Sequence, residues 1–112
     1  MERSEVYPSI HYMTTLRDAS DTDRKRMLLN INGRQLSAIG QVAKRLINGT
    51  INPLRRDVRV LERRRMMLKA MASARVSADR KKSLVKRYHS VIPVMLNSVY
   101  LIQTVLDEVK TC

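Results

Sequence analysis

The chain has 112 residues, 44% of them apolar and 4% aromatic, with 22 Lys and Arg against 10 Asp and Glu, a net charge of +12. That length suits one domain with a modest core, and with no Trp or Phe the core has to be aliphatic and Met-rich. The one cysteine, Cys112, leaves no intramolecular disulfide, which excludes a small disulfide-stapled secreted scaffold and sets a reducing, intracellular compartment as the expectation.

Residues 1–20 open with Met1-Glu2-Arg3-Ser4-Glu5 and hold no apolar run, so no signal peptide is expected. They sustain neither a period of 2 nor one of 3.6, and the expectation is a loose arm, with Val6, Ile10, Tyr12 and Leu16 available to dock it on a partner. From residue 21 to 112 a single helical domain is expected. Ser20-Asp21-Thr22-Asp23 offers an N-cap and first-turn acids, and Asn30, Asn32 and Gly33 then predict a break. Leu36, Ile39, Val42, Ala43, Leu46 and Ile47 recur at steps of 3 and 4 and share one helix face, which Asn48-Gly49 ends. Asn48-Gly49-Thr50 has the form of a glycosylation sequon, but without a secretory route it reads as a turn.

The basic helices are expected over about residues 53–89. Asn52-Pro53 is a start signal for a helix running to about Ala72. At 100° per residue, Leu54, Val58, Leu61, Leu68 and Ala72 gather on one side and Arg55, Arg56, Arg59 and Arg63 on the other. Arg65 falls inside the apolar arc, where an unpaired charge is costly, so it has to snorkel, find a carboxylate or mark a site. Ser73 to Val76 connect to a second basic helix capped by Ser77, with Leu84, Val85 and Tyr88 as its apolar stripe and Arg80, Lys81, Lys82, Lys86 and Arg87 over the rest. From Asn52 to His89 there are 13 Lys and Arg against 3 Asp and Glu, so +10 of the chain's +12 sits in this stretch. A surplus so concentrated repels itself unless a polyanion or an acidic partner neutralises it; the plainer alternative is a solvated helix face.

No Asp, Glu, Lys or Arg stands between Tyr88 and Leu106, a length that raises a membrane span. Pro93, Asn97, Ser98, Gln103 and Thr104 argue against one. Ile92, Met95, Leu96, Val99, Ile102 and Leu106 instead share one face of an apolar helix over about residues 92–110, with Val94, Leu101 and Val105 off that stripe, the pattern of a packed or self-associating helix.

Leu46-Ile47-Asn48-Gly49-Thr50-Ile51, Arg55-Arg56, Leu61, Leu68, Val76-Ser77 and Lys81-Lys82-Ser83-Leu84-Val85 together resemble small basic proteins of Maverick/Polinton-type DNA elements and adintovirus-like viruses. The resemblance spans Leu46 to Arg87; His89-Ser90-Val91-Ile92-Pro93 stands where that family has a Gly-Gly-Phe-Leu-Pro-like run. It implies a DNA-associated core protein of a virion or mobile element.

No Gly-rich phosphate loop, paired-carboxylate site or Cys/His metal cluster is present in the sequence, and His11, His89 and Cys112 make neither a zinc site nor a Cys-His dyad, so no enzyme, metal or cofactor is expected. The combined expectation is an all-α bundle of three or four helices with a loose N-terminal arm. Its basic residues Arg55, Arg56, Arg59, Arg63, Arg80, Lys81, Lys82, Lys86 and Arg87 would contact nucleic-acid phosphates, DNA first, with little sequence preference. Ile92, Met95, Leu96, Val99, Ile102 and Leu106 would drive homo-oligomer or capsid assembly. The competing expectation is an adaptor whose basic face meets an acidic protein, and Arg80-Lys81-Lys82 also suits a nuclear address.

Overall fold

The computed structural model describes residues 11–97, and within them the only regular structure is helical. Residues 11–18 form α1, followed by α2 (Asp21–Leu29), α3 (Gly33–Ile47), α4 (Val58–Arg63), α5 (Arg65–Ala72), α6 (Ala78–Arg87) and α7 (Ile92–Leu96). A 3-10 turn, Arg55–Asp57, leads into α4. The all-α expectation holds, but with seven helices among the described residues in place of three or four.

Several helix starts obey local chemistry. The Ser20 hydroxyl accepts the Asp23 amide at 3.2 Å, and the Ser77 hydroxyl accepts the Arg80 amide at 3.2 Å. Asn32 and Gln35 form a reciprocal capping box, with the Gln35 amide donating to Asn32 Oδ1 at 2.8 Å and the Asn32 amide donating to Gln35 Oε1 at 3.0 Å. Gly49, at φ +79°, ends α3 in the left-handed region that an L side chain rarely adopts.

Two expected elements are corrected. The loose arm is helical from residue 11 to 18, and Met13 and Leu16 are buried in the core. What holds it comes from the next helix: Arg24 of α2 lies buried and donates through Nε to the Leu16 carbonyl at 3.2 Å and through Nη2 to the Ala19 carbonyl at 2.6 Å. Its Nη1 reaches Asp21 at 2.7 Å. These bonds satisfy carbonyls at the end of α1 that no later helical turn can reach. The helix expected from Pro53 to Ala72 is the second correction. Residues 52–54 are not helical, the α-helix begins at Val58, and it breaks at Arg64. There the Arg64 amide is shared between the Val60 and Leu61 carbonyls at 3.2 and 3.1 Å, a local tightening that resets the register of α5. Met67, Leu68 and Met71 turn inward as a result, and Arg65 turns out to solvent.

α3 is the hub. It packs on α5, α6 and α7 and contributes Leu36, Ala38, Ile39, Val42 and Ala43 to the core. Met13, Met67, Met71 and Met95 lie in the same cluster, the aliphatic and methionine core that the absence of Phe and Trp requires. A Cβ on Gly40 would stand 2.8 Å from the Met71 carbonyl oxygen, so the α3 and α5 backbones approach closely at this point.

In α7, Ile92, Met95 and Leu96 have 0% exposure. They were expected on a self-association face, but side chains already sealed inside the chain's own core offer nothing to a partner. Val99, Ile102 and Leu106, and the helix expected as far as residue 110, lie outside the described residues, as do residues 1–10.

Packing at Gly40 and burial at Tyr12 each carry a stability outcome. Gly40→Ala should destabilise by about 1–3 kcal/mol through overpacking against backbone. Gly33→Ala, where an added Cβ meets nothing within 4 Å, should be neutral or stabilising. Urea midpoints of the two variants measure the contrast, and equal midpoints would contradict the close approach. The Tyr12 hydroxyl is sealed from solvent with no hydrogen-bond partner among the described residues. Burial pushes its pKa from 10.0 up to about 12. The folded chain therefore keeps a proton that the unfolded chain releases, so Tyr12 makes stability fall as pH rises from 10.0 to about 12. Tyr12→Phe should be at least as stable near neutral pH and should lose part of that alkaline decline, read from denaturation curves of both proteins across the range.

Candidate nucleic-acid interface

Local sequence puts cations on three consecutive helices, and packing then turns them outward. In α4, Leu61 is buried and Arg59 and Arg63 are exposed. In α6, Val85 is buried with Leu84 and Tyr88 packed against the core, while Arg80, Lys86 and Arg87 are exposed and Lys81 and Lys82 are half-buried. Arg55 and Arg56 are exposed on the 3-10 turn. All nine basic residues singled out in the sequence thus reach the surface to some degree.

They are not all brought together. The C-terminal end of α6 meets the α4–α5 junction through Tyr88, whose ring centroid lies 5.1 Å from the Arg64 guanidinium carbon and 5.4 Å from that of Arg87. Each such contact contributes about 0.5–1 kcal/mol at an exposed site. Among the described residues no side-chain hydrogen bond, ion pair or ring contact ties Arg55 or Arg56 to α6; Arg56 lies instead 4.0 Å from the carboxylate of Asp57. Asp57 is itself buried and accepts a hydrogen bond from Asn97 at 3.0 Å, which fastens the start of α4 to the end of α7.

No protein-family model, curated protein or solved structure matches this chain. Any functional reading therefore rests on the surface itself.

The salient property of that surface is missing compensation. Arg17, Arg24 and Arg26 pair with Asp18, Asp21 and Asp23 near the N-terminal end of the described chain. The Arg17 guanidinium beside Asp18 holds that carboxyl below its ordinary range. Between Arg59 and Arg87 there are eleven Lys and Arg residues, and none has a carboxylate within 4.0 Å among the described residues. Nine of the eleven are exposed. Met66, 78% exposed, sits directly after the run Arg63-Arg64-Arg65.

Arg64 was not among the residues expected to contact phosphate, because a continuous helix over residues 53–72 gave it no place on the basic face. The signal in the sequence was Tyr88, the one aromatic within the basic stretch and next to Arg87. Arg65, expected in an apolar arc, is exposed and lines a hollow of about 170 Å³ with Leu46, Ile47, Leu61 and Glu62. His11 is exposed; His89 is half-buried, and its Nδ1 has no hydrogen-bond partner among the described residues. Among the described residues there is no group of three His, Cys, Asp or Glu that could hold a metal, and no helix is long and apolar enough to cross a membrane.

Uncompensated like charges raise the free energy of the folded chain, and salt screens them. The midpoint of thermal unfolding should therefore rise by a few degrees from about 50 mM to about 0.5 M NaCl. A fall over that range would mean that the few ion pairs outweigh the repulsion.

Proposed function

We propose that this protein binds nucleic acid, DNA in the first place, through phosphate contacts with little preference for base sequence. The observation that carries the reading is the set of eleven cations on α4 to α6 and their connections, without a carboxylate partner among the described residues. A solvated basic face on a protein with no anionic partner would be better served by interspersed acids, which cut self-repulsion and keep solubility. Here acids are few and pair with none of the eleven: Asp57 is bonded to Asn97, and Glu62 and Asp79 are exposed with no cation within 4.0 Å among the described residues.

Phosphate contact fits the residue types. Arg presents a planar fork that matches two phosphate oxygens, and Lys a compact point charge. Base reading is not favoured, because residues 58–87 contain no Asn or Gln to pair with adenine. The role of a virion or mobile-element core protein, implied by the sequence resemblance, is part of the same proposal. Of the residues on which the adaptor reading rests, Ile92, Met95 and Leu96 are occupied by the chain's own core, and Val99, Ile102 and Leu106 lie outside the described residues.

The test is a titration of the full chain with a random-sequence DNA duplex over a salt series. If six to ten cations meet phosphate, affinity should fall about 10³- to 10⁵-fold between about 50 and 200 mM salt. A binding constant that hardly moves with salt, or no binding at the low end, would sink the proposal and direct the basic face to an acidic protein.

A further inference from the structure

Resting on the reading just given, we infer that Arg64, Arg87 and Tyr88 form a clamp for the backbone of one nucleic-acid strand. Arg64 and Arg87 engage neighbouring phosphates, and Tyr88 is the positioning residue that holds the two guanidiniums side by side. Electrostatic repulsion alone opposes this arrangement. Two guanidiniums, one from the break between α4 and α5 and one from the end of α6, meet one ring, with their carbons 5.1 and 5.4 Å from its centroid, and among the described residues neither has a carboxylate within 4.0 Å.

The geometry defines the ligand. The two guanidinium carbons can be no further apart than those two distances laid end to end. A nucleic-acid strand rises about 3.4 Å per nucleotide, so this span covers at most about three nucleotides of one strand. Both arginines are exposed and can turn their donor forks outward, whereas Tyr88 is half-buried and anchored against the core beside Val85. A ring fixed to the core holds the guanidiniums before any ligand arrives, which reduces the side-chain freedom lost on binding. Glu62, two residues before Arg64, lines the hollow beside Arg65 and makes no ion pair with Arg64 within 4.0 Å.

A clamp differs from net charge in what it requires of the side chains. Arg64→Lys keeps the charge but removes the planar group that stacks on the ring. Tyr88→Leu keeps the charge and an apolar anchor but removes the ring face. In the same salt-dependent titration of the full chain with the random-sequence duplex, Arg64→Lys, which loses the stacked planar fork, should bind about two- to fivefold more weakly, and Tyr88→Leu, which removes both ring contacts, about five- to thirtyfold more weakly. Tyr88→Phe, which retains the ring, should bind like the unaltered chain. Arg64→Met should bind more weakly and also lower the slope of log affinity against log salt by about 0.9, the signature of one lost phosphate contact. Circular dichroism melts establish which variants are folded; if Tyr88→Leu is not, Arg64→Lys at an exposed position decides alone. Steep salt-dependent binding that is the same for the unaltered chain and Arg64→Lys would overturn the clamp and leave the general phosphate reading standing. Absence of binding by the unaltered chain itself would instead overturn the proposed function.

Discussion

The close approach of α3 and α5 at Gly40 is the constraint on which the rest of the arrangement depends. With no side chain at this position, the Met71 carbonyl comes to the distance at which a Cβ would collide with it. Bulkier residues would hold α5 away, and core packing tolerates such displacement poorly because interiors are close-packed. α5 carries Met67, Leu68 and Met71 into the core and begins directly after Arg64. The position of Arg64 relative to α6 is thus tied to an α3 residue 24 positions earlier in the chain. Surface chemistry at the junction depends on packing beneath it.

At the Arg64–Arg87 pair two modest opposing terms are of similar size. Two unit charges about 8 Å apart in water repel by roughly 0.5 kcal/mol, and physiological salt reduces this further. One exposed cation–π contact offsets about as much or more. Arg64 and Arg87 can therefore be held near each other without a carboxylate, with little net loss of stability. An intervening Glu or Asp would stabilise the pair more strongly, but it would also occupy the donors. The ring attracts the cations through its face and leaves their N–H groups free for other acceptors.

What was legible in the sequence was whatever is decided within a few residues. The caps at Ser20 and Ser77 and the stop at Gly49 are local, and their residues announce them, whereas Asn32, expected only as part of a break, is the cap of the next helix. The buried stripe of α3 was legible for a related reason, since Leu36, Ile39, Val42 and Ala43 repeat at the helical period. Decisions made between elements, or without a marker residue, were not. The end of the helix over residues 11–18 is tied down by Arg24, whose role as a buried donor has no local signature. The break at Arg64 has neither Pro nor Gly to mark it, so a continuous helix was the natural expectation, and the placement of Arg64 and Arg65 was lost with it. The α7 stripe was recognised as apolar, but periodicity cannot tell a face that meets its own core from one that meets another copy.

The distribution of side-chain amides bears on how selective such a surface can be. Asn32 and Gln35 are engaged with each other's backbone, Asn48 accepts the Thr50 amide, Asn30 donates to the Arg26 carbonyl and Asn97 donates to Asp57. Each is committed to structure, and each lies outside residues 58–87. The cationic helices and their connections carry Ser73, Ser77 and Ser83 as their only uncharged hydrogen-bonding side chains besides Tyr88, and Ser77 is used as a cap. Arg can still pair with guanine, but a surface built almost wholly from cations gains most from phosphates, which every sequence presents alike. Affinity on such a face scales with the number of contacts, and selectivity has to come from the shape of the backbone that is offered to it.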